Sequence, residues 1–284
     1  MSEYLQEEGT EPRSRLKRRA KAEARRLGAT LVGFAPVSRW AEYGEVPSDY
    51  RPESIWPPAR TVIVAGVPML LPILESTPSI NHQELYNTAN RLLDEIAYRL
   101  SIFLNQAGRA SICLPRDGYG NLGVLLKKMP ASFSHIYAAK YAGLGTIGYS
   151  HNVVTPEYGP RVRFVSLFTN ASLPGDPVIK KDLCKSCKLC GRLCPAQAIA
   201  PNPERLMAEF DAVACTRYHQ ELADKSCFPC GVCAKVCPVG ADRKLYGRTQ
   251  VAEYLAEPGA ANDDSRFLHL RHLRSHGSDH SESL

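Results

Sequence analysis

The spacing of apolar positions changes several times along the chain, and each change predicts an element. Residues 13–27 read as a charged helix closed by Gly28, where a helix commonly ends. ATLVGFAP at 29–36 follows as a short strand. TVIVAGVP at 61–68 is a β-branched run ending in Gly and Pro, the pattern of a buried strand. Leu85, Ala89, Leu92, Ile96, Leu100 and Phe103 recur at three- and four-residue steps. That period predicts a long helix with one buried face, N-capped by Asn81 and reaching to Gly108. ASICLP at 110–115 and RVRFVSLF at 161–168 are further strands, and residues 249–256 read as a short helix. Strands separated by helices predict an α/β (α+β) layer built on a mixed sheet.

The longest apolar run, Thr61 to Leu74, is too short to span a bilayer and is interrupted by Pro68 and Pro72. The N-terminal residues carry acids before bases, with no apolar stretch behind them, so they do not read as a secretory signal. The expected location is the cytoplasm, with no membrane contact. The formal charge of +6 is concentrated in Arg13, Arg15, Lys17, Arg18, Arg19, Lys21, Arg25 and Arg26. No aromatic residues interleave with these charges, so the first helix reads as a solvated face and not as a nucleic-acid surface.

The organisation expected from these patterns is a loose tail at 1–12, an α/β domain at 13–176, a cysteine-rich domain at 177–245, and a short helix with a disordered tail at 246–284. Leu173 to Pro177 is the turn-rich linker between the two domains. Of ten cysteines, only Cys113 lies outside the stretch from Cys184 to Cys237. A disulfide framework belongs to small secreted chains, so this clustering points to metal.

Cys184, Cys187, Cys190 and Cys194 precede Pro195, and Cys227, Cys230, Cys233 and Cys237 precede Pro238. Both runs match C-x2-C-x2-C-x3-C-P, the spacing of bacterial ferredoxins with two [4Fe–4S] clusters. Three cysteines at short intervals wrap one cubane, while the fourth points away and completes its neighbour. That assigns Cys184, Cys187, Cys190 and Cys237 to one cluster, and Cys194, Cys230 and Cys233 to the other. Cys227 and Cys215 are alternatives for the remaining position. Structural zinc usually takes two C-x2-C pairs, often with His, and two complete runs each followed by Pro favour clusters. Lys181, Lys185, Lys188, Arg192 and Lys235 crowd these motifs and would suit docking of an acidic, low-potential electron donor of the ferredoxin or flavodoxin type.

Ala142 to Gly148 reads AGLGTIG, and Thr155 to Arg163 reads TPEYGPRVR. Together with RRLGATLVGFAP and the 61–68 strand, these segments resemble epoxyqueuosine reductases and corrinoid reductive dehalogenases, over about residues 15–242. The resemblance implies a nitroreductase-like N-terminal domain that holds a cobalamin reduced through the clusters. It implies Gly143, Leu144, Gly145, Gly148, Tyr158 and Gly159 near the corrinoid, where glycines would let the backbone approach a flat ring. The family also places a cysteine in a C-x2-Y context before the second C-x2-C, which Cys215 and Tyr218 match.

The chain departs from the family in two places. The catalytic aspartate of epoxyqueuosine reductases would fall thirteen residues before Ala142, on Met129, which cannot donate a proton. Their GKN is Gly148-Tyr149-Ser150 here. The catalytic acid is therefore unassigned; Tyr119, in the polar turn Arg116–Gly120, and Tyr158 are the candidates. The expected activity is iron–sulfur oxidoreduction of a small molecule or modified nucleoside. A non-catalytic electron carrier and a tRNA-directed reductase are the alternatives.

Overall fold

The computed structural model describes residues 11–128, 131–202, 207–255 and 268–277. Met129 lies outside them. Helix α1 (Arg13–Arg26) buries Leu16, Ala20 and Ala24 at four-residue steps and leaves most of its basic face to solvent. Several of those charges are paired: Arg15 and Arg19 with Glu11, Arg26 with Glu23, and Lys17 with Asp176.

Strands β1 (Leu31–Pro36), β2 (Thr61–Pro68), β3 (Ser111–Cys113) and β6 (Val162–Thr169) form one sheet in the order β1-β2-β6-β3. Every pairing in it is antiparallel, which corrects the expected mixed sheet. β2 is central and buried at all positions but Pro68, because both faces are covered. Ile63, Ala65 and Val67 face α1 and the long helix α2 (Ile80–Gln106), while Val62 and Val64 face Trp40, Phe168 and helix α3 (His135–Tyr141). This alternation is the two-residue strand period with an apolar layer on each side.

Helix α2 begins two residues earlier than its sequence suggests. Ser79, in extended conformation, accepts a hydrogen bond from the His82 N–H at 3.2 Å and is the cap. Asn81 instead donates to the Leu273 carbonyl. Leu273 belongs to helix α7 (Leu268–Arg274), a folded turn within the segment expected to be a disordered tail. Residues 251–255 form a 3-10 turn. The linker is pinned along β1: Asp176 exchanges two hydrogen bonds with the Phe34 backbone and pairs with Lys17 at 2.6 Å.

Two short hairpin strands, β4 (Thr146–Ile147) and β5 (Val153–Val154), carry residues 148–152 out to the cysteine-rich segment. That segment holds α4 (Leu189–Arg192), the pair β7 (Ile199–Ala200) and β8 (Glu209–Phe210), α5 (Ala212–Asp224) and α6 (Val232–Lys235). Among the described residues, no helix is long and apolar enough to cross a membrane.

Candidate iron–sulfur centres and the adjoining cavity

The two cysteine runs repeat in backbone conformation as well as spacing. Lys188 and Gly231, each directly after the second cysteine of its run, both take left-handed φ, at 59° and 71°, and cap the four-residue helices α4 and α6. Gln197 and Gly240, each three residues after the fourth cysteine, also have positive φ, at 50° and 125°. A left-handed residue reverses the chain within one step, which is how a short loop wraps around a compact group.

The thiols gather in two neighbouring sets. Burial pushes Cys190 up to about 12, and the nearby thiols of Cys233, Cys237, Cys187 and Cys184 add to the shift. Burial also pushes Cys215 and Cys230 up to about 12; Cys215 feels Cys233 and Cys194, and Cys230 feels Cys233, Cys215 and Cys194. Such crowded thiols are costly to ionise together unless a cation neutralises them. A zinc ion draws its thiolates to about 2.3 Å, whereas a cubane spreads its ligands over separate iron corners. Crowded thiols drawn from both cysteine runs fit the second arrangement.

Cys215 lies on α5, whose N-terminus is capped by the Asp211 carboxylate at 2.9 Å from the Ala214 nitrogen. Cys227 is fully buried at the other end of α5, where its thiol donates to the Lys225 carbonyl at 3.3 Å. Several N–H groups approach ligand-type sulfurs: the Tyr149 nitrogen at Cys184 (3.5 Å), the Ala198 nitrogen at Cys194 (3.4 Å) and the Asn152 amide at Cys233 (3.5 Å), with backbone donors at Val232, Ala234 and Val239 for Cys230, Cys233 and Cys237.

A cavity of about 340 Å³ borders Cys194, Cys215, Cys230 and Cys233. A second, of about 510 Å³, lies on the side of Phe133 and His135. They share Tyr119, Ile136, Asn152, Pro160, Val162 and Arg163 as walls. Arg163 donates to Asp117 at 2.8 Å and to Asn90 at 3.1 Å, with its guanidinium 4.4 Å from the centre of the Tyr86 ring. Burial pushes the Tyr119 phenol up, with Tyr86 and Asp117 adding to the shift. His135 has both ring nitrogens engaged, by Ser166 and the Pro115 carbonyl, and burial lowers its pKa. His82 is buried beside Gly231 with its Nδ1 unpartnered, and burial lowers its pKa to about 4.

Each of the glycines expected near a flat ring has protein atoms against its missing Cβ. A Cβ on Gly143 would overlap the Pro177 carbonyl, one on Gly145 the Val154 carbonyl, and one on Gly159 the Val239 carbonyl. At Gly148 it would press on Val154 and approach Cys184. Gly143 and Gly159 let backbones cross where the N-terminal part meets the segment from Pro177 onward, whereas Gly145 relieves a contact within the β4–β5 hairpin. Leu144 packs into the core against Gly33. Tyr158 belongs to the Thr155–Gly159 turn, where its nitrogen donates to the Thr155 hydroxyl, and it lines neither cavity. Of the two candidate acids only Tyr119 faces the cavities. Lys181, Lys185, Lys188 and Arg192 are exposed as expected. Lys235 is not: it lies 6.0 Å from the centre of the Tyr254 ring, and burial lowers its pKa to about 7. Sequence reasoning missed Arg163, Asp117, Asn152 and His82, whose roles depend on which segments meet.

Residues 183–242 match the family model of a 4Fe-4S dicluster domain. The tetrachloroethene reductive dehalogenase of Dehalobacter restrictus is 28% identical over 194 residues, covering 63% of this chain and 32% of that protein. The epoxyqueuosine reductase of a Synechococcus species is 33% identical over 109 residues, covering 35% of this chain and 32% of that protein. A solved reductive dehalogenase, whose structure is described as suggesting a mechanism for B12-dependent dehalogenation, superposes with a TM-score of 0.65 at 20% identity, over 88% of this chain and 37% of that one. The chain is thus related to reductive dehalogenases and epoxyqueuosine reductases, carries an iron–sulfur dicluster domain, and spans about a third of the length of these relatives.

Proposed function

We propose that this chain is an iron–sulfur oxidoreductase in which two [4Fe–4S] clusters deliver single electrons to a corrinoid seated in the adjoining cavities, for reduction of a small organic substrate. The observation that carries the reading is continuity: the space bordered by Cys194, Cys215, Cys230 and Cys233 is the same space that reaches Tyr119 and Arg163. In this reading Cys184, Cys187, Cys190 and Cys237 hold the outer cluster. Cys194, Cys215, Cys230 and Cys233 hold the inner one, and Cys227 remains a core thiol. The mutual crowding of Cys215 with Cys194 and Cys233 supports that choice over Cys227.

In this reading the corrinoid would lie against the cavity walls now described. Cavities of 510 and 340 Å³ are each of the size, about 300–1,000 Å³, that holds a drug-sized ligand, so a corrinoid, which is larger, would fill both and reach past the walls they share. Ile136, Pro160 and Val162 would offer apolar contact, and Asn152, Tyr119 and Arg163 polar contact. When bound, a corrinoid supplies a low-valent metal centre able to reduce carbon–halogen or carbon–oxygen bonds. The chain's own part is to exclude water, to hold the phenol proton on Tyr119, and to fix that phenol's surroundings through Arg163 and Asp117. The sheet with helices on both faces supports a nitroreductase-like reading of the N-terminal domain. The exposed Lys181, Lys185, Lys188 and Arg192 support an acidic external electron donor at the outer cluster.

The test is metal analysis after anaerobic reconstitution with iron and sulfide, then incubation with cobalamin, followed by turnover of a panel of organohalides and epoxides with a reduced viologen. About eight irons per chain with stoichiometric cobalt is the expected result. Eight irons with no cobalt retained would leave an electron carrier, and zinc in place of iron would remove the reading altogether.

A further inference from the structure

We infer that Asn152 sets the reduction potential of the inner cluster, through a side-chain amide hydrogen bond to the Cys233 sulfur made at the wall of the substrate cavity. The inference rests on the proposed ligation of a cluster by Cys233.

The Asn152 Nδ2 lies 3.5 Å from Cys233 Sγ, a normal length for an N–H donor to sulfur. The same nitrogen donates to the Ser150 carbonyl at 3.3 Å and contacts the Ser150 hydroxyl at 3.1 Å. A carbonyl only accepts, so this contact fixes which end of the amide faces the sulfur. The main chain holds the residue as well: the Asn152 carbonyl accepts from the Gly148 nitrogen at 2.9 Å, closing the turn between β4 and β5. Asn152 is also one of the residues shared by both cavities. The N–H groups aimed at Cys184 and Cys194 belong to the backbone, which no side-chain substitution removes. Asn152 is a donor that evolution, or an experimenter, can remove.

The direction of the effect follows from charge. Reduction adds one electron to the cluster and its thiolates, with no bond broken and the electron supplied by the external donor. An N–H dipole pointing at a ligand sulfur stabilises the more negative, reduced state, and so raises the potential. In a site sheltered from water that dipole is poorly screened. The cluster nearer the cavity is therefore easier to reduce with Asn152 present, and it has less driving force for passing the electron onward.

The experiment is an EPR-monitored redox titration of the reconstituted full chain as wild type, Asn152→Leu, Asn152→Asp and Ser150→Ala. The expected result is wild-type iron content with one of two midpoint potentials lowered and the other unmoved. The Asp variant, which replaces the donor by an anionic acceptor, should shift furthest. Ser150→Ala should shift the same potential in the same direction by less. Unmoved potentials in a variant with full iron would overturn the inference. If Asn152→Leu loses iron, the isosteric Asp variant decides. Loss of one cluster from both would make Asn152 a packing residue and overturn its tuning role. A wild-type chain without two reducible clusters would sink the cluster reading itself, a different result from unmoved potentials.

Discussion

Arg161 and Asp242 are joined by two parallel hydrogen bonds of 2.7 Å, Nε to one carboxylate oxygen and Nη2 to the other, with Arg161 wholly buried. The remaining donors reach the carbonyls of Val239 at 2.6 Å, Cys237 at 3.1 Å and Ala234 at 3.3 Å. All five N–H groups of the guanidinium are used. The segment leading into β6 is thereby fastened to the loop that carries Cys237. Arg243 holds the same Cys237 carbonyl at 2.7 Å from its own side. A Cβ on Gly240 would run into this ion pair, which is why a glycine stands there.

Arg161→Met should therefore leave Asp242 buried without a partner and cost about 3–5 kcal/mol of stability. Anaerobic denaturant titration of the reconstituted chain measures it. The double variant Arg161→Met with Asp242→Leu should recover part of the loss, because no charge is then orphaned. A single variant within about 0.5 kcal/mol of wild type would show that the fastening does not matter.

The parts of this fold that sequence reveals are those written locally. The cysteine repeats and the central strand at 61–68 depend on spacing and on β-branched residues, and both are where they were expected. The N-cap was displaced from Asn81 to Ser79 because capping depends on the backbone of the entering residue, not on amide chemistry alone. Gly143, Gly145 and Gly159 carry no sign of what approaches them; a crossing backbone and a flat ring both call for a missing Cβ. The choice between Cys215 and Cys227 is tertiary, since it depends on how α5 lies across the second run. Arg161 and Asp242 are 81 residues apart, and nothing near either one announces the other.

Cys215→Ser should lose one cluster, about half of the iron, and the EPR signal of the inner site, while Cys227→Ser should keep both. Cys227 already has a local partner in the Lys225 carbonyl, which a serine hydroxyl can also reach. The reverse pattern of iron loss would restore the plain ferredoxin spacing.

His82 gives a stability term with a defined sign. Burial lowers its folded pKa to about 4 from an ordinary 6.5. The unfolded chain thus binds the proton more tightly than the native one across that window. Stability is full above pH 6.5 and falls as pH drops toward 4, by about 1.4 kcal/mol per pH unit. Denaturant midpoints of wild type and His82→Gln between pH 7.5 and 5.5 should show a shallower acid-side decline in the variant. Parallel curves would mean that His82 charges without unfolding the site.

Tyr119 is the residue on which proton delivery should depend. It lines both adjoining cavities and a third, of about 620 Å³, that opens toward Asn121 and Gln220. Burial keeps its phenol protonated through neutral pH, and the neighbouring Tyr86 and Asp117 reinforce this, while Arg163 opposes it. A phenol that stays protonated at rest, beside a guanidinium that can stabilise its anion once the proton has left, is arranged as a general acid. Tyr119→Phe removes the proton and the hydroxyl's hydrogen bond with Tyr86 while keeping the ring, so turnover of any substrate the panel yields should fall by about 10²–10⁴-fold. Iron content and both midpoint potentials should stay at wild-type values. Tyr158→Phe, on a turn facing neither adjoining cavity, should leave turnover unchanged. Equal rates for wild type and Tyr119→Phe would remove Tyr119 from the mechanism, and a loss in Tyr158→Phe alone would return the role to the turn before β6.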